Sequence, residues 1–495
     1  MPSRVLYSIR SCSRISLLRS HIPARSWYST AAASSTPGQP ELYDVVCVGG
    51  GPAGLSLVAG LRSSKITSNL KIALVEGQDL QKNVLKDASP TIYSNRCSSL
   101  TPASVKYLRE IGAWDHIDTS RVQPYQEMQV WDGVSDSRIS FDWASASGLA
   151  LKQPVDRTTI AYMIENLNLT TALLSRLSEL DSKLSISSPT RVSSVELGQE
   201  TEALDLRSWP TVTLDNGRQL AARLLVGADG ANSPVRTFAG IPSRGWDYGR
   251  HGVVASLRLE GPGWGGEEHK IAYQRFLPTG PVAMLPLPGN MATLVWSTVP
   301  ERAARLKALK EEDFVAMVNA AFRLSPVDLE YLHTIPEGQK EEVEWREQHT
   351  PVDEQKIPMR AVGAQAGSVA NFPLKMRHAD TYTGERVALV GDAAHTVHPL
   401  AGQGLNQGQA DAAALVRVIE TAVSQGSDIG SQLALEAYTG ERWQANNALL
   451  GAVDKLHKLY SFGSGPIVPV RSWGLSAVNA IGPLKGWFMR QAAGT

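Results

Sequence analysis

Cysteine is scarce in this chain: there are three in 495 residues, Cys12, Cys47 and Cys97, none in a CxxC pair. That excludes a disulfide-stapled scaffold and a thiolate zinc site, and it points to a reducing compartment. Net charge is missing as well. The 48 Lys+Arg balance the 48 Asp+Glu, so no basic field for nucleic acid exists and no nucleic-acid partner is expected. No apolar run approaches the roughly 20 residues that a helix needs to cross a bilayer. An HExxH pair, a GxSxG elbow and a metal-ligand cluster are also absent, which argues against zinc hydrolysis and serine nucleophilic catalysis, and no metal is expected. What remains is 43% hydrophobic and only 19% charged, with 42 glycines, the composition of a globular protein with large cores.

Acid is locally absent too. Residues 1–40 hold five arginines (Arg4, Arg10, Arg14, Arg19, Arg25), many serines and no Asp or Glu before Glu41. On a helical wheel Val5, Leu6, Ile9 and Cys12 share one side and the arginines the other. This pattern predicts a mitochondrial transit peptide over 1–28, with Arg25 to Ser29 as the processing region and 29–40 as a linker; a disordered basic tail is the alternative. Without those arginines the rest of the chain is mildly acidic.

Past the leader, Leu42 to Val48 is a short apolar run, followed by Gly49-Gly-Gly51-Pro52-Ala53-Gly54, a small apolar helix to Leu61, and a second apolar strand ending at Glu76. Strand, glycine turn, helix and strand make a βαβ dinucleotide unit. Gly49 allows the tight turn, Gly51 lets the backbone approach a pyrophosphate, and Gly54 allows close helix-to-strand packing. Glu76, 22 residues after Gly54, stands where a carboxylate accepts a ribose hydroxyl. A packing role alone is the bland alternative, and the motif by itself does not choose between NAD and FAD.

Two later segments each end an apolar strand on an Asp. One is Leu225 to Arg236, with Asp229-Gly230. The other is Arg386 to Gly408, which contains Gly391-Asp392, His395, His398, Pro399, Gly402, Gln403, Gly404, Leu405 and Asn406. Asp229 before a glycine is alternatively a surface turn. Gly402 and Gly404 leave backbone N–H groups bare at a helix start, where they can face negative charge. Asp411 in that helix reads as structural, and the two histidines read as loop packing. Between roughly 245 and 377, short apolar segments cut by Pro and Gly predict an antiparallel sheet.

With these segments the chain resembles the flavoprotein aromatic hydroxylases of the p-hydroxybenzoate hydroxylase type. The stretches Tyr93 to Ser104, Met128 to Asp132, Gln274 to Leu287 and Gly391 to Gly408 are similar to the ubiquinone-biosynthesis branch of that family. The resemblance covers about residues 42–450. It implies a Rossmann-like α/β FAD-binding domain (41–244 and 379–455, with substrate-side strands near 120–150), an inserted antiparallel substrate domain (245–378) and a C-terminal helical segment (456–495). It implies FAD held by the glycine turn, Glu76, Asp229, Asp392 and the 399–406 segment, with Arg96 and Asn166 also at the flavin. Trp131 reads as core. The implied reaction is C5 hydroxylation of a polyprenylated 4-hydroxybenzoate or polyprenylphenol by O₂ through a flavin C4a-hydroperoxide, with no assignable general base. Walls are expected at Pro278 to Leu287 and Leu294 to Ser297. Ferredoxin and its reductase, or NAD(P)H, would supply electrons. Other ubiquinone-biosynthesis proteins and the matrix face of the inner mitochondrial membrane would be partners. Ile467 to Arg490, rich in Trp and cations, is expected either at the membrane, through Arg471 to Arg490, or packed on the FAD domain. A hydroxylase of another phenol and an FAD-binding scaffold are the competing functions.

Overall fold

The computed structural model describes residues 39–480, apart from 83, 86–88, 90, 144–158, 181–183, 201–203, 262–268 and 398–401. The expected transit peptide, Pro399, His398 and Leu484 to Arg490 therefore lie outside the described residues.

The described residues open with β1 (Glu41–Val48), α1 (Pro52–Ser63) and β2 (Ile72–Val75). Then come β3 (Cys97–Leu100), α2 (Pro102–Glu110), β4 (Gln123–Tyr125), β5 (Glu127–Asp132), β6 (Arg138–Asp142), β7 (Ala161–Glu165), α3 (Asn166–Glu179) and β8 (Leu184–Ser187). A hairpin of β9 (Val192–Leu197) and β10 (Pro210–Leu214) leads into β11 (Gln219–Gly227) and the short α4 (Pro234–Phe238). β8, β2, β1, β11 and β19 (Val387–Leu389) lie side by side and parallel, the doubly wound core of a nucleotide-binding domain. The run Val45 to Val48 is apolar without alternation because a central parallel strand is covered on both faces. α1 starts on Pro52, whose missing N–H costs nothing at a helix start. Its Leu55, Leu57, Val58 and Leu61 are fully buried, worth roughly 1.5–3 kcal/mol each.

The second sheet contains β12 (Ser243–Leu259), β13 (Ile271–Leu277), β14 (Gly280–Pro286), β15 (Met291–Thr298), β16 (Ala361–Ala364) and β17 (Ala370–Ala379), joined by β5 and β6. It is antiparallel except where β5 runs parallel to β13. Trp131 on β5 is core, as expected. Four helices cover one face of this sheet: α5 (Pro300–Ala308), α6 (Glu311–Arg323), α7 (Pro326–Leu332) and α8 (Gln339–His349). The sheet reading missed them. Their signals are local: Pro300 and Pro326 sit at helix starts, Ser325 and Asp328 form a capping box, and three acids open α6.

β18 (Thr383–Gly384) pairs with β19, and β20 (His395–Thr396) pairs with β17. α9 (Gln403–Ser424), α10 (Gln432–Tyr460) and α11 (Ile467–Ala480) complete the described part of the chain. The boundary expected at 455/456 falls inside α10, because Tyr460 stacks on Phe276 at 4.1 Å and draws the helix on to the second sheet. Among the described residues α11 packs on the β5–β6 hairpin, which lies within the 41–244 stretch expected to form the FAD domain with its substrate-side strands, and it does so through a paired cation. Arg471 is buried and makes a two-pronged ion pair with the buried Asp132 at 2.8 and 2.9 Å, which fastens α11 to the β5–β6 hairpin. Arg471 is thus unavailable to attract a membrane. Among the described residues, no helix is long and apolar enough to cross one.

Candidate FAD site

The glycine turn follows β1 with its three glycines under different constraints. Gly49 has φ +113°, and a Cβ there would lie 2.1 Å from the Ala228 carbonyl oxygen. A Cβ on Gly54 would lie 2.1 Å from the Gly49 oxygen, so helix and turn touch backbone to backbone. Gly51 is different. It precedes α1 in extended backbone, no side chain caps the helix there, and a Cβ would meet no protein atom within 4 Å. The helix start is therefore open on the side where a phosphate would approach. Glu76 closes the turn: one carboxylate oxygen accepts the Gly50 N–H at 2.6 Å and the other the Gln78 N–H at 2.7 Å. Each oxygen keeps a lone pair for a further donor.

The three glycine segments converge. Cβ atoms built on Gly391 and Gly408 would lie 3.1 and 3.2 Å from the Cβ of Ala53, so the 391 turn and α9 press closely on the start of α1 at two glycines. Gly49 donates to Val75, Ala228 to Val48, and Val390 to Gly227 (2.8, 2.7 and 2.9 Å), which gathers all three segments at the carboxyl ends of the parallel strands. That edge is where open α/β sheets bind ligands.

Both expected carboxylates stand there. Asp229 accepts the Val235 N–H at 3.2 Å through Oδ2, whereas its buried Oδ1 has no hydrogen-bond partner among the described residues. Burial pushes its pKa up, against bonds from Ser233 and Val235. Burial also pushes Asp392 up, opposed by His395, although its side chain is exposed. A buried carboxylate oxygen lacking a donor is the group that a ribityl or ribose hydroxyl satisfies. The residues present fit FAD.

Arg96 is exposed at the entry to β3, and its carbonyl accepts the Asn166 N–H at 2.9 Å. Asn166 Oδ1 accepts from Ser98 Oγ at 2.6 Å, while Glu165, not Asn166, holds the cap position of α3. Sequence reasoning missed what holds this segment. Arg121 and Glu165 form a fully buried ion pair at 2.7 Å; the guanidinium also donates to Ser89 and Ile92 carbonyls, and Glu165 accepts the Ser94 N–H. A cavity of about 570 Å³ opens beside it, lined by Tyr93, Ser94, Arg121, Glu165, Leu167 and Gln365 among others.

α9 begins at Gly402, left-handed at φ +59°, followed by Gln403, Gly404 and the half-buried Leu405. Asn406 differs from expectation. Its amide donates to the Ser99 and Gly402 carbonyls (2.7 and 3.1 Å), and its oxygen accepts from Thr101 N–H and Ser104 Oγ (2.9 and 2.8 Å). The side chain is consumed in riveting α9 to the β3–α2 turn, so it orients the helix start without reaching for a cofactor. Asp411 is buried and structural, as expected, and His395 bonds to it. Among the described residues no His, Cys, Asp and Glu group could hold a metal.

Comparison with known proteins decides the family. The FAD binding domain family model matches residues 42–452. The Saccharomyces cerevisiae protein named ubiquinone biosynthesis monooxygenase COQ6, mitochondrial, is 42% identical over 487 residues, covering 93% of this chain and 96% of that one. Its Homo sapiens namesake is 38% identical over 471 residues, covering 95% and 96%. The chain belongs to the ubiquinone biosynthesis monooxygenase family. It is an FAD-dependent monooxygenase. Among solved structures, p-nitrophenol 4-monooxygenase PnpA of Pseudomonas putida aligns with TM-score 0.63 at 16% identity, covering 91% of this chain and 97% of that one. PqsL of Pseudomonas aeruginosa, in complex with 2-aminobenzoylacetate, aligns with TM-score 0.62 at 21% identity, covering 88% and 100%. These two carry the fold alone.

In this family member the expected walls need sorting by face. Val282, Met284, Leu294 and Trp296 are buried in the core shared with α5 and α6. Strand alternation puts Ala283, Leu285, Thr293 and Val295 on the opposite face. There Ser256, paired with Thr293, donates to the Tyr93 carbonyl at 3.1 Å, and Leu285 packs with Tyr93, Tyr125 and Met163. This second face looks toward β3 and the Arg96 segment.

Proposed function

We propose that this monooxygenase hydroxylates ring position C5 of a polyprenylated 4-hydroxybenzoate or polyprenylphenol in mitochondrial ubiquinone biosynthesis. The observation that carries the proposal is the meeting of three glycine segments at one sheet edge, with an undonated Asp229 oxygen, opposite a largely apolar sheet face. Gly49, Gly51, Pro52, Ala53 and Gly54 would hold the FAD pyrophosphate, and Glu76 a ribose. Asp229, Gly391 and Asp392 would hold ribityl and ribose hydroxyls. Arg96, Asn166 and the bare N–H groups of Gly402 to Leu405 would flank the ring system. Bound there, FAD supplies the activation of O₂ that no side chain can. The protein's part is to orient the phenol and keep water from the reacting atoms, which the face of Ala283, Leu285 and Val295 suits.

Ferredoxin and its reductase are assigned as the electron source on the resemblance to the ubiquinone-biosynthesis branch alone, with NAD(P)H as the alternative. Val470, Trp473 and Phe462 are exposed near the C-terminus, which supports contact with the matrix face of the inner membrane or with other ubiquinone-biosynthesis proteins. The test is mass analysis of the quinone precursors that accumulate in cells lacking this protein. A prenylated ring without the C5 hydroxyl is expected; a precursor already hydroxylated at C5 would refute the assignment.

A further inference from the structure

Asp411 lies on α9, fully buried, and accepts four hydrogen bonds. Oδ2 takes the Gly391 N–H at 3.1 Å and His395 Nε2 at 2.5 Å. Oδ1 takes Arg442 Nε at 2.9 Å and Asn446 Nδ2 at 3.1 Å. Burial pushes this carboxyl up, but His395 and Arg442 outweigh burial and hold it down at about 2, so it is ionised. The other nitrogen of His395, Nδ1, is buried without a partner among the described residues. The imidazole is therefore oriented through Asp411.

The bonds fall at the two ends of the Gly391–Ala393 turn. Gly391 is its first residue, with φ +59°. His395 follows its last by two positions, and Asp392 lies between them. Arg442 and Asn446 tie the same carboxylate to α10. We propose that Asp411 is the positioning residue of the flavin turn: it fixes the Gly391–Asp392 backbone from inside the helix layer and so sets how tightly the protein holds FAD. This deepens the FAD-site reading and rests on it for the position of the cofactor.

An asparagine in its place would keep the shape and lose the function. Its oxygen can accept from Arg442, but its NH₂ then faces the Gly391 N–H, donor against donor, and the Arg442 charge loses its counter-ion.

The test measures FAD dissociation constants of the purified full chain by flavin fluorescence, together with the flavin absorption spectrum and the thermal transition of the FAD-free protein. Asp411→Asn is expected to weaken FAD about 10- to 100-fold, as loss of a charge-assisted bond to the turn predicts, and to change the flavin spectrum. The stability control is Asn319→Ala, which breaks two buried bonds to Ala361 at 2.9 Å in the other half of the molecule. It should lower the thermal transition yet leave FAD affinity within twofold. Asn446→Ala removes one donor to Asp411, on the side away from the turn, together with the Asn446 bonds to Arg442 and Tyr382, and should weaken FAD several-fold even if Asp411→Asn does not fold. Wild-type FAD affinity in Asp411→Asn or Asn446→Ala, or equal loss in Asn319→Ala, would overturn the proposal. Failure of the unaltered protein to bind FAD would instead remove the site reading beneath it.

Discussion

Substituting Gly51 by alanine separates cofactor binding from folding. The backbone there, φ −73° and ψ 174°, is open to any L residue, and the new methyl would touch no protein atom within 4 Å. Alanine is a poorer helix cap than glycine, costing about 0.5–1 kcal/mol. It also restricts the unfolded chain, which returns about 0.4–1 kcal/mol. The FAD-free protein should therefore keep its stability to within about 1 kcal/mol. The methyl nevertheless enters the path by which a pyrophosphate reaches the first N–H groups of α1. Losing one such charge-assisted bond costs about 1.5–3 kcal/mol, or about 10- to 150-fold in affinity. Urea unfolding of the FAD-free protein measures the first quantity and titration of FAD fluorescence the second. Wild-type FAD affinity in Gly51→Ala would refute the reasoning; so would a loss of FAD-free stability as large as the loss of binding, since the effect would then be packing. Gly54→Ala is the counter-case, and its methyl, 2.1 Å from the Gly49 oxygen, should destabilise the protein with or without FAD.

Three further outcomes follow from buried charge. Arg121→Ala leaves Glu165 buried and unpaired and should cost about 3–5 kcal/mol in urea unfolding, with early proteolytic cleavage near residues 89–94. Arg471→Ala strands Asp132 in the same way and should free α11, read as rapid proteolysis after about Tyr460 without loss of FAD. His333 is buried against Trp296, and burial, with Arg302 and Arg305 nearby, pushes its pKa down to about 4. Since this folded value lies below the ordinary 6.5, its contribution is present above pH 6.5 and is lost as pH falls toward 4, on the order of 3 kcal/mol. His333→Gln should flatten that part of the stability–pH curve, and an unchanged slope between pH 6.5 and 4 would contradict the assignment.

The nucleotide-binding unit was legible because its signals are local. A strand, three glycines at fixed spacing, a small-residue helix and a terminal acid each state their geometry within a few residues. Asp229 and Asp392 were legible for the same reason, each closing an apolar strand. The side-chain role of Asn406 was not legible, because its four partners come from Ser99, Thr101, Ser104 and Gly402, most of them some 300 positions away. The pairs Arg121–Glu165 and Arg471–Asp132 are equally non-local, since nothing near Arg471 in sequence hints that a buried aspartate on β5 claims it. The helices over the second sheet are a different failure. The 245–377 stretch reads as apolar segments cut by Pro and Gly, yet Pro300 and Pro326 open helices, a position proline suits because its missing N–H is not needed there. The segments expected as walls divide between two faces, because strand alternation sends every second apolar residue to the helix-covered side.

The central claim is oxygen transfer from O₂ to a prenylated phenol on FAD held at the converging glycine segments. Its most direct test is one turnover of the FAD-loaded protein, reduced by ferredoxin, with a prenylated 4-hydroxybenzoate under oxygen-18 gas, read by mass spectrometry. The account predicts a ring product carrying one labelled hydroxyl, lost in Gly51→Ala. Unchanged substrate with hydrogen peroxide as the sole product of O₂, or a hydroxyl without label, would contradict it.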